Sequence, residues 1–179
     1  MPTWLTDPIC QRFKDLAVFA GTKHGAPNHC LVNEYEPGQG IMPHEDGGAY
    51  ASVVATVSLG APIVLDLYEK KAKHGNDDDG VKHEAIGSGP EWRILQEERS
   101  LLVTRGEAYE VLMHGIGEQK VDQGLRPDEE GQNGVVNWTL LGDQARFSDG
   151  AMERQLRVSL TFRDVLKVST MGHKLFGKR

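Results

Sequence analysis

The stretch Arg157-Val-Ser-Leu-Thr-Phe-Arg163 alternates polar and apolar residues without a break. Successive side chains of a strand point to opposite faces, so Arg157, Ser159, Thr161 and Arg163 share one face. Val158, Leu160 and Phe162 take the other. A chain carrying this segment needs a sheet with one apolar side and one side that tolerates two guanidinium groups. A solvated sheet edge meets that requirement, and so does the polar mouth between two sheets. Guanidinium is suited to gripping a carboxylate through two parallel hydrogen bonds. Six steps of strand cover roughly 20 Å, too far for both arginines to hold one carboxylate. One can clamp a dicarboxylate while the other lies elsewhere in the site; the sequence does not assign which.

The rest of the pattern is also that of a β protein. Strands are expected at residues 29–35, 51–58, 63–68, 93–96, 100–104, 109–113 and 157–165. Hydrophobic residues make up 39% of the chain and glycines number 21, which suits a turn-rich sheet protein better than a helical bundle. At 179 residues the chain is read as a single domain spanning 1–179. Cys10, Phe13, Leu16 and Ala17 recur at helical spacing and predict a helix over residues 8–20, packed outside the sheets. Two polar segments interrupt the strands. Residues 69–89 carry His74, His83 and the run Asn76-Asp-Asp-Asp-Gly80, which lacks EF-hand spacing and reads as a loop. Residues 117–150 read as a surface loop able to border a substrate mouth, with Val135-Val-Asn-Trp-Thr-Leu-Leu141 a candidate short strand. There are no internal repeats.

Chemistry enters with His44-Glu-Asp46. In extended backbone a His and an Asp two residues apart face the same way and can converge on one metal ion. A second His from elsewhere completes the two-His-one-carboxylate set, which leaves coordination positions open and marks non-haem Fe(II) oxygenases. His114 is the candidate, at the end of the apolar stretch Tyr109-Glu-Val-Leu-Met-His114, with Gly115 expected to let the backbone turn away. A hydrogen-bonded core histidine is the plainer reading of His114 alone. Asn33 and Tyr35 sit two apart on another strand, and both can donate to carboxylate or keto oxygens; polar residues on an outward strand face would look the same.

Taken in order, Asn33-x-Tyr35-x-Pro-Gly, His44-x-Asp46, His114 and Arg157-x5-Arg163 resemble the AlkB family of Fe(II)/2-oxoglutarate dioxygenases. The wording Leu31-Val-Asn-Glu-Tyr-Glu-Pro-Gly-Gln-Gly-Ile-Met-Pro-His-Glu-Asp-Gly47 is similar to its AlkB homolog 6 branch. So are Ser58-Leu-Gly60, Ile63-Val-Leu-Asp-Leu-Tyr68, Arg99-Ser-Leu-Leu-Val103 and Leu112-Met-His-Gly-Ile116. The resemblance covers about Trp4 to Arg163. It implies a mainly β, double-stranded β-helix (jelly-roll) fold with the metal between two sheets. It implies His44, Asp46 and His114 as iron ligands, and Asn33, Tyr35, Arg157 and Arg163 as the 2-oxoglutarate site. Ser159 stands where many family members carry Asn and joins the cosubstrate set on that ground. The implied activity is oxidative demethylation of N-methylated nucleobases in nucleic acid, with Fe(II) as cofactor and 2-oxoglutarate and O2 as cosubstrates. Members of the family carry several dozen more residues ahead of this point, including part of a lid over the nucleotide. Only 43 residues precede His44, so the domain is expected to lack N-terminal lid residues.

Charge and composition bound the alternatives. A net charge of −6 and a pI near 5.6 argue against broad, salt-driven nucleic-acid binding. The basic clusters, Lys70-Lys-Ala-Lys73 and Lys167 with His173, Lys174, Lys178 and Arg179, read as solvated surface. Two readings therefore stand beside demethylation: a non-catalytic jelly-roll module that binds nucleic acid or protein, and an oxygenase acting on protein side chains. No apolar run reaches the roughly 20 residues needed to span a membrane. Two cysteines, Cys10 and Cys30, make no disulfide framework, and the simplest setting is intracellular, cytoplasm or nucleus. Oligomeric state is left open.

Overall fold

In the computed structural model, residues 1–71, 85–86 and 89–168 are described. His74, His83, the acidic run 76–80, Lys73 and the basic residues from His173 onward lie outside the described residues.

Two antiparallel sheets face each other, as in a jelly roll. The first has the order β1 (His29–Tyr35), β11 (Arg157–Val165), β3 (Tyr50–Gly60) and β7 (Leu101–Arg105). The second runs β2 (Ile41–His44), β8 (Leu112–Ile116) and β4 (Ile63–Lys71), with β5 (Ala85–Ile86) and β6 (Trp92–Gln96) also paired to β4. A small hairpin joins β9 (Val121–Gln123) to β10 (Ala151–Glu153).

The alternation of β11 is borne out on both faces. Leu160 and Phe162 point outward into a core with Val53, Ala55, Leu5, Phe13 and Phe19, while Arg157, Ser159, Thr161 and Arg163 point into the cleft between the sheets. The outer core is closed by a helical stretch, α1, made of consecutive turns over Thr3–Leu5, Thr6–Cys10 and Gln11–Asp15. It packs outside the sheets as expected, but begins earlier and ends sooner than residues 8–20. Ala17 takes a left-handed φ of 53°, which stops the helix. Phe19 can then fold back to 5.7 Å from the Phe13 ring.

Three further expectations are corrected. Residues 107–110 form a short helix, α2 (Glu107–Glu110), so the strand expected at 109–113 lies three residues later. Gly115 is therefore inside β8, and does not turn the backbone away. A Cβ there would come within 3.0 Å of the Ile41 carbonyl oxygen and Pro43 nitrogen, so glycine is needed for the close approach of β2. Residues 135–141 form no strand; a single turn covers Trp138–Leu140.

The segment 117–150 is more than a surface loop. Its Leu125, Val135, Leu141 and Phe147 are buried against Val64, Leu95 and Met152. Val64 alternates with Ile63 and Leu65, which belong to the cleft-side cluster, so the segment covers the outer face of the second sheet and not the mouth. It is tied down by the buried pair Arg154–Asp122, joined through Nε and Nη2 at 2.7 and 2.8 Å. No helix among the described residues is long and apolar enough to cross a membrane.

Candidate active site

All of Asn33, Tyr35, His44, Asp46, His114, Arg157, Ser159 and Arg163 line one cleft between the two sheets. Strand register explains how. On the first sheet Asn33 pairs with Ser159 and Tyr35 with Arg157, two rungs apart, which puts four of these residues side by side on one face. On the second, His44 lies opposite His114, across an irregularity between Ile41 and His44.

The two imidazole rings are 4.5 Å apart, centre to centre, and inclined at 54°. His44 Nδ1 is 2.9 Å from the Met42 carbonyl oxygen. A carbonyl only accepts, so Nδ1 is the donor and Nε2 is the ring nitrogen left to face a ligand. Burial, followed by the neighbouring His44, lowers the pKa of His114 and keeps that ring neutral. A neutral imidazole is the form that binds metal.

Asp46 lies two residues beyond the end of β2, so strand alternation does not govern its direction. It lines the same cleft all the same, and its Oδ1 accepts from Arg163 Nη2. Oδ2 enters no hydrogen bond among the described residues. Nor, among them, are three His, Cys, Asp or Glu side chains gathered closely enough to enclose a metal ion. The histidine pair is adjacent, and the carboxylate stands beside it, turned to its arginine.

The two arginines of β11 differ sharply. Arg163 pairs with Asp46 and lies 4.9 Å from the centre of the Tyr50 ring. Arg157 is only 3% exposed and has no carboxylate beside it among the described residues. Its Nη2 donates to Gln96 Oε1 at 3.1 Å and Ser58 Oγ at 3.3 Å, and its Nε, like that of Arg163, is buried with no partner among the described residues. Burial pulls its pKa down to about 10. A buried cation whose partners are all neutral is an expensive arrangement unless an anion joins it.

The residues present suit both groups that the motif chemistry calls for. Two imidazoles and a carboxylate are a nitrogen- and oxygen-donor set for a divalent transition metal. The unpaired guanidinium suits one end of a dicarboxylate.

Sequence reasoning missed Gln96, Ser58, Tyr50 and Tyr109 as parts of this site. Gln96 closes the run Trp92-Arg-Ile-Leu-Gln96, where alternation puts it on the face of apolar Ile94. A polar residue on an apolar face was the available signal. Tyr109 has no such signal. It donates its hydroxyl to the Gly47 carbonyl at 3.0 Å, pinning the turn after Asp46, and only the tertiary fold brings the two together.

Residues 2–163 match the family model described as the 2OG-Fe(II) oxygenase superfamily. A Danio rerio protein named probable RNA/DNA demethylase ALKBH6 is 34% identical over 168 residues, covering 94% of this chain and 64% of that protein. This chain thus spans less than two thirds of that relative's length. A Xenopus tropicalis protein named tRNA (carboxymethyluridine(34)-5-O)-methyltransferase alkbh8 is 34% identical over 140 residues, 78% of this chain and 18% of its own. The alpha-ketoglutarate-dependent dioxygenase AlkB of Salmonella typhimurium is 29% identical over 116 residues, 64% of this chain and 45% of that one.

Proposed function

The chain belongs to the 2OG-Fe(II) oxygenase superfamily, and on that premise we propose that it is a dioxygenase that removes N-methyl groups from nucleobases in nucleic acid. The observation that carries this reading is Arg157, a buried cation with only neutral partners and an orphaned Nε on the wall of a cleft that also holds His44, Asp46 and His114. Such a residue is pre-arranged for an anion that the chain itself does not supply.

In this reading His44, Asp46 and His114 hold Fe(II), and Arg157 holds the remote carboxylate of 2-oxoglutarate. The bound iron, with 2-oxoglutarate and O2, supplies hydroxylation of an N-methyl carbon; the hydroxymethyl group then leaves as formaldehyde, and succinate and CO2 are the co-products. The chain's own residues bind and orient. Asn33, Tyr35 and Ser159 share the rungs around Arg157 and offer donors to the cosubstrate's oxygens. Arg163 holds Asp46 by Oδ1 and leaves Oδ2 for the metal. Leu65, Leu67, Ile116 and Leu102 give the cleft apolar walls, which strengthen every charge interaction inside it. Nucleic acid as the substrate is supported by the RNA/DNA demethylase name of the Danio rerio relative, and a nuclear or cytoplasmic setting goes with that substrate.

A net charge of −6 favours a second reading, hydroxylation of a protein side chain at the same centre. Both are tested by incubating the chain with Fe(II), ascorbate, 2-oxoglutarate and oligonucleotides bearing N-methylated bases. Formaldehyde and succinate released in equal amounts are the expected result. Succinate without formaldehyde from any DNA or RNA would rule out the nucleic-acid assignment and leave the centre intact.

A further inference from the structure

Gln96 belongs to none of the motifs that singled out the site, yet it stands against Arg157 on the cleft wall. It is 4% exposed, and its Oε1 accepts from both Arg157 Nη2 and the Ser58 hydroxyl. A guanidinium can only donate, so the amide cannot be turned the other way round. That leaves Nε2. It enters no hydrogen bond among the described residues, and it is not among the buried side-chain atoms that lack a partner. The Gln96 amide nitrogen thus has no protein partner among the described residues and belongs to a side chain that lines the cleft.

We propose that Gln96 is a positioning and selectivity residue for the dicarboxylate cosubstrate, its oxygen steering the Arg157 guanidinium and its amide N–H donating to the same carboxylate. This rests on the reading of Arg157 as the clamp. The neutrality of Gln96 matters as much as its shape. A carboxylate at position 96 would hold Arg157 equally well, but would cancel its charge and compete for its donors. An aliphatic side chain would leave Arg157 Nη2 with Ser58 alone and remove the amide donor. Selectivity follows: ligands with a remote carboxylate feel the change, and those with only a chelating end do not.

The test uses the full chain loaded with Mn(II) in place of iron, titrated by calorimetry with two probes. N-oxalylglycine has the outline of 2-oxoglutarate with both acid ends; oxalate has the chelating end alone. Gln96→Leu should weaken N-oxalylglycine about tenfold, and Gln96→Glu by more, through loss of charge-assisted hydrogen bonds. Oxalate affinity should stay within about twofold in both variants, and Gln96→Glu should melt no lower than the unaltered chain because it pairs a buried cation. Unchanged N-oxalylglycine affinity in Gln96→Glu overturns the proposal. A parallel loss for both probes also overturns it, since that marks a merely structural role. Failure of the unaltered chain to bind N-oxalylglycine while it binds oxalate is a different result, and overturns the reading of Arg157 itself.

Discussion

Arg157 and Arg163 are the same side chain on the same face of one strand, and their surroundings give them different work. Each lies over a tyrosine ring, Tyr50 for Arg163 and Tyr35 for Arg157, but Arg163 also pairs with Asp46 while Arg157 donates only to the neutral oxygens of Gln96 and Ser58. Replacing Arg157 by Met should therefore weaken 2-oxoglutarate binding at least about tenfold while leaving stability equal or raised, since it removes a buried charge that has no carboxylate partner among the described residues. Calorimetry and thermal melting check the two halves separately; a large drop in melting temperature would contradict the view that Arg157 is held for a ligand. Arg163→Ala should act on the metal instead, through Asp46, and raise the Fe(II) requirement more than that for 2-oxoglutarate. His44, Asp46, His114 and both arginines could be singled out in the sequence by spacing and residue type, and the fold brings them to one cleft. Which arginine does what was not legible there, because that depends on Asp46, 117 positions away along the chain.

At the scale of elements, β11 is the strand on which the molecule turns. It pairs with both β1 and β3, carries the site on one face and the outer core on the other. Phe162 has no exposed surface and meets the Phe13 ring edge-on at 4.9 Å, so Phe162→Ala should cost about 3–5 kcal/mol in denaturant unfolding. The strand's end is latched by Asp164, which accepts from the His24 N–H at 3.1 Å and lies 2.5 Å from the His24 ring. Burial acts to raise the Asp164 pKa, but the His24 ring, Thr22 and the His24 backbone N–H outweigh it and hold the carboxyl below its ordinary value. A depressed carboxyl adds stability above the unfolded pKa, near 4, and loses it as the pH falls further. The unfolding midpoint should drop below about pH 4, and Asp164→Asn should flatten that part of the profile. The strands were legible because alternation is a local property. The shifted β8 and the helix stop at Ala17 were not, since the first is set by closeness to β2 and the second by the return of Phe19.

At the scale of the whole molecule, two sheets enclose a cleft and each outer face has its own cover, α1 on one side and the 117–150 segment on the other. That second cover was unreadable because Leu125, Val135, Leu141 and Phe147 are spread thinly through a long polar segment and follow neither a helical nor a strand period. Neither cover lies between the sheets, so the cleft and its ligands form a unit that can be tested by itself. The most direct measurement is an anaerobic titration of the metal-free chain with Fe(II) and 2-oxoglutarate, followed by the visible metal-to-ligand charge-transfer band. A band that needs both additions, vanishes in His114→Ala and demands more 2-oxoglutarate in Arg157→Met is the predicted result. A folded chain that gives no band with both present would contradict the account at its centre.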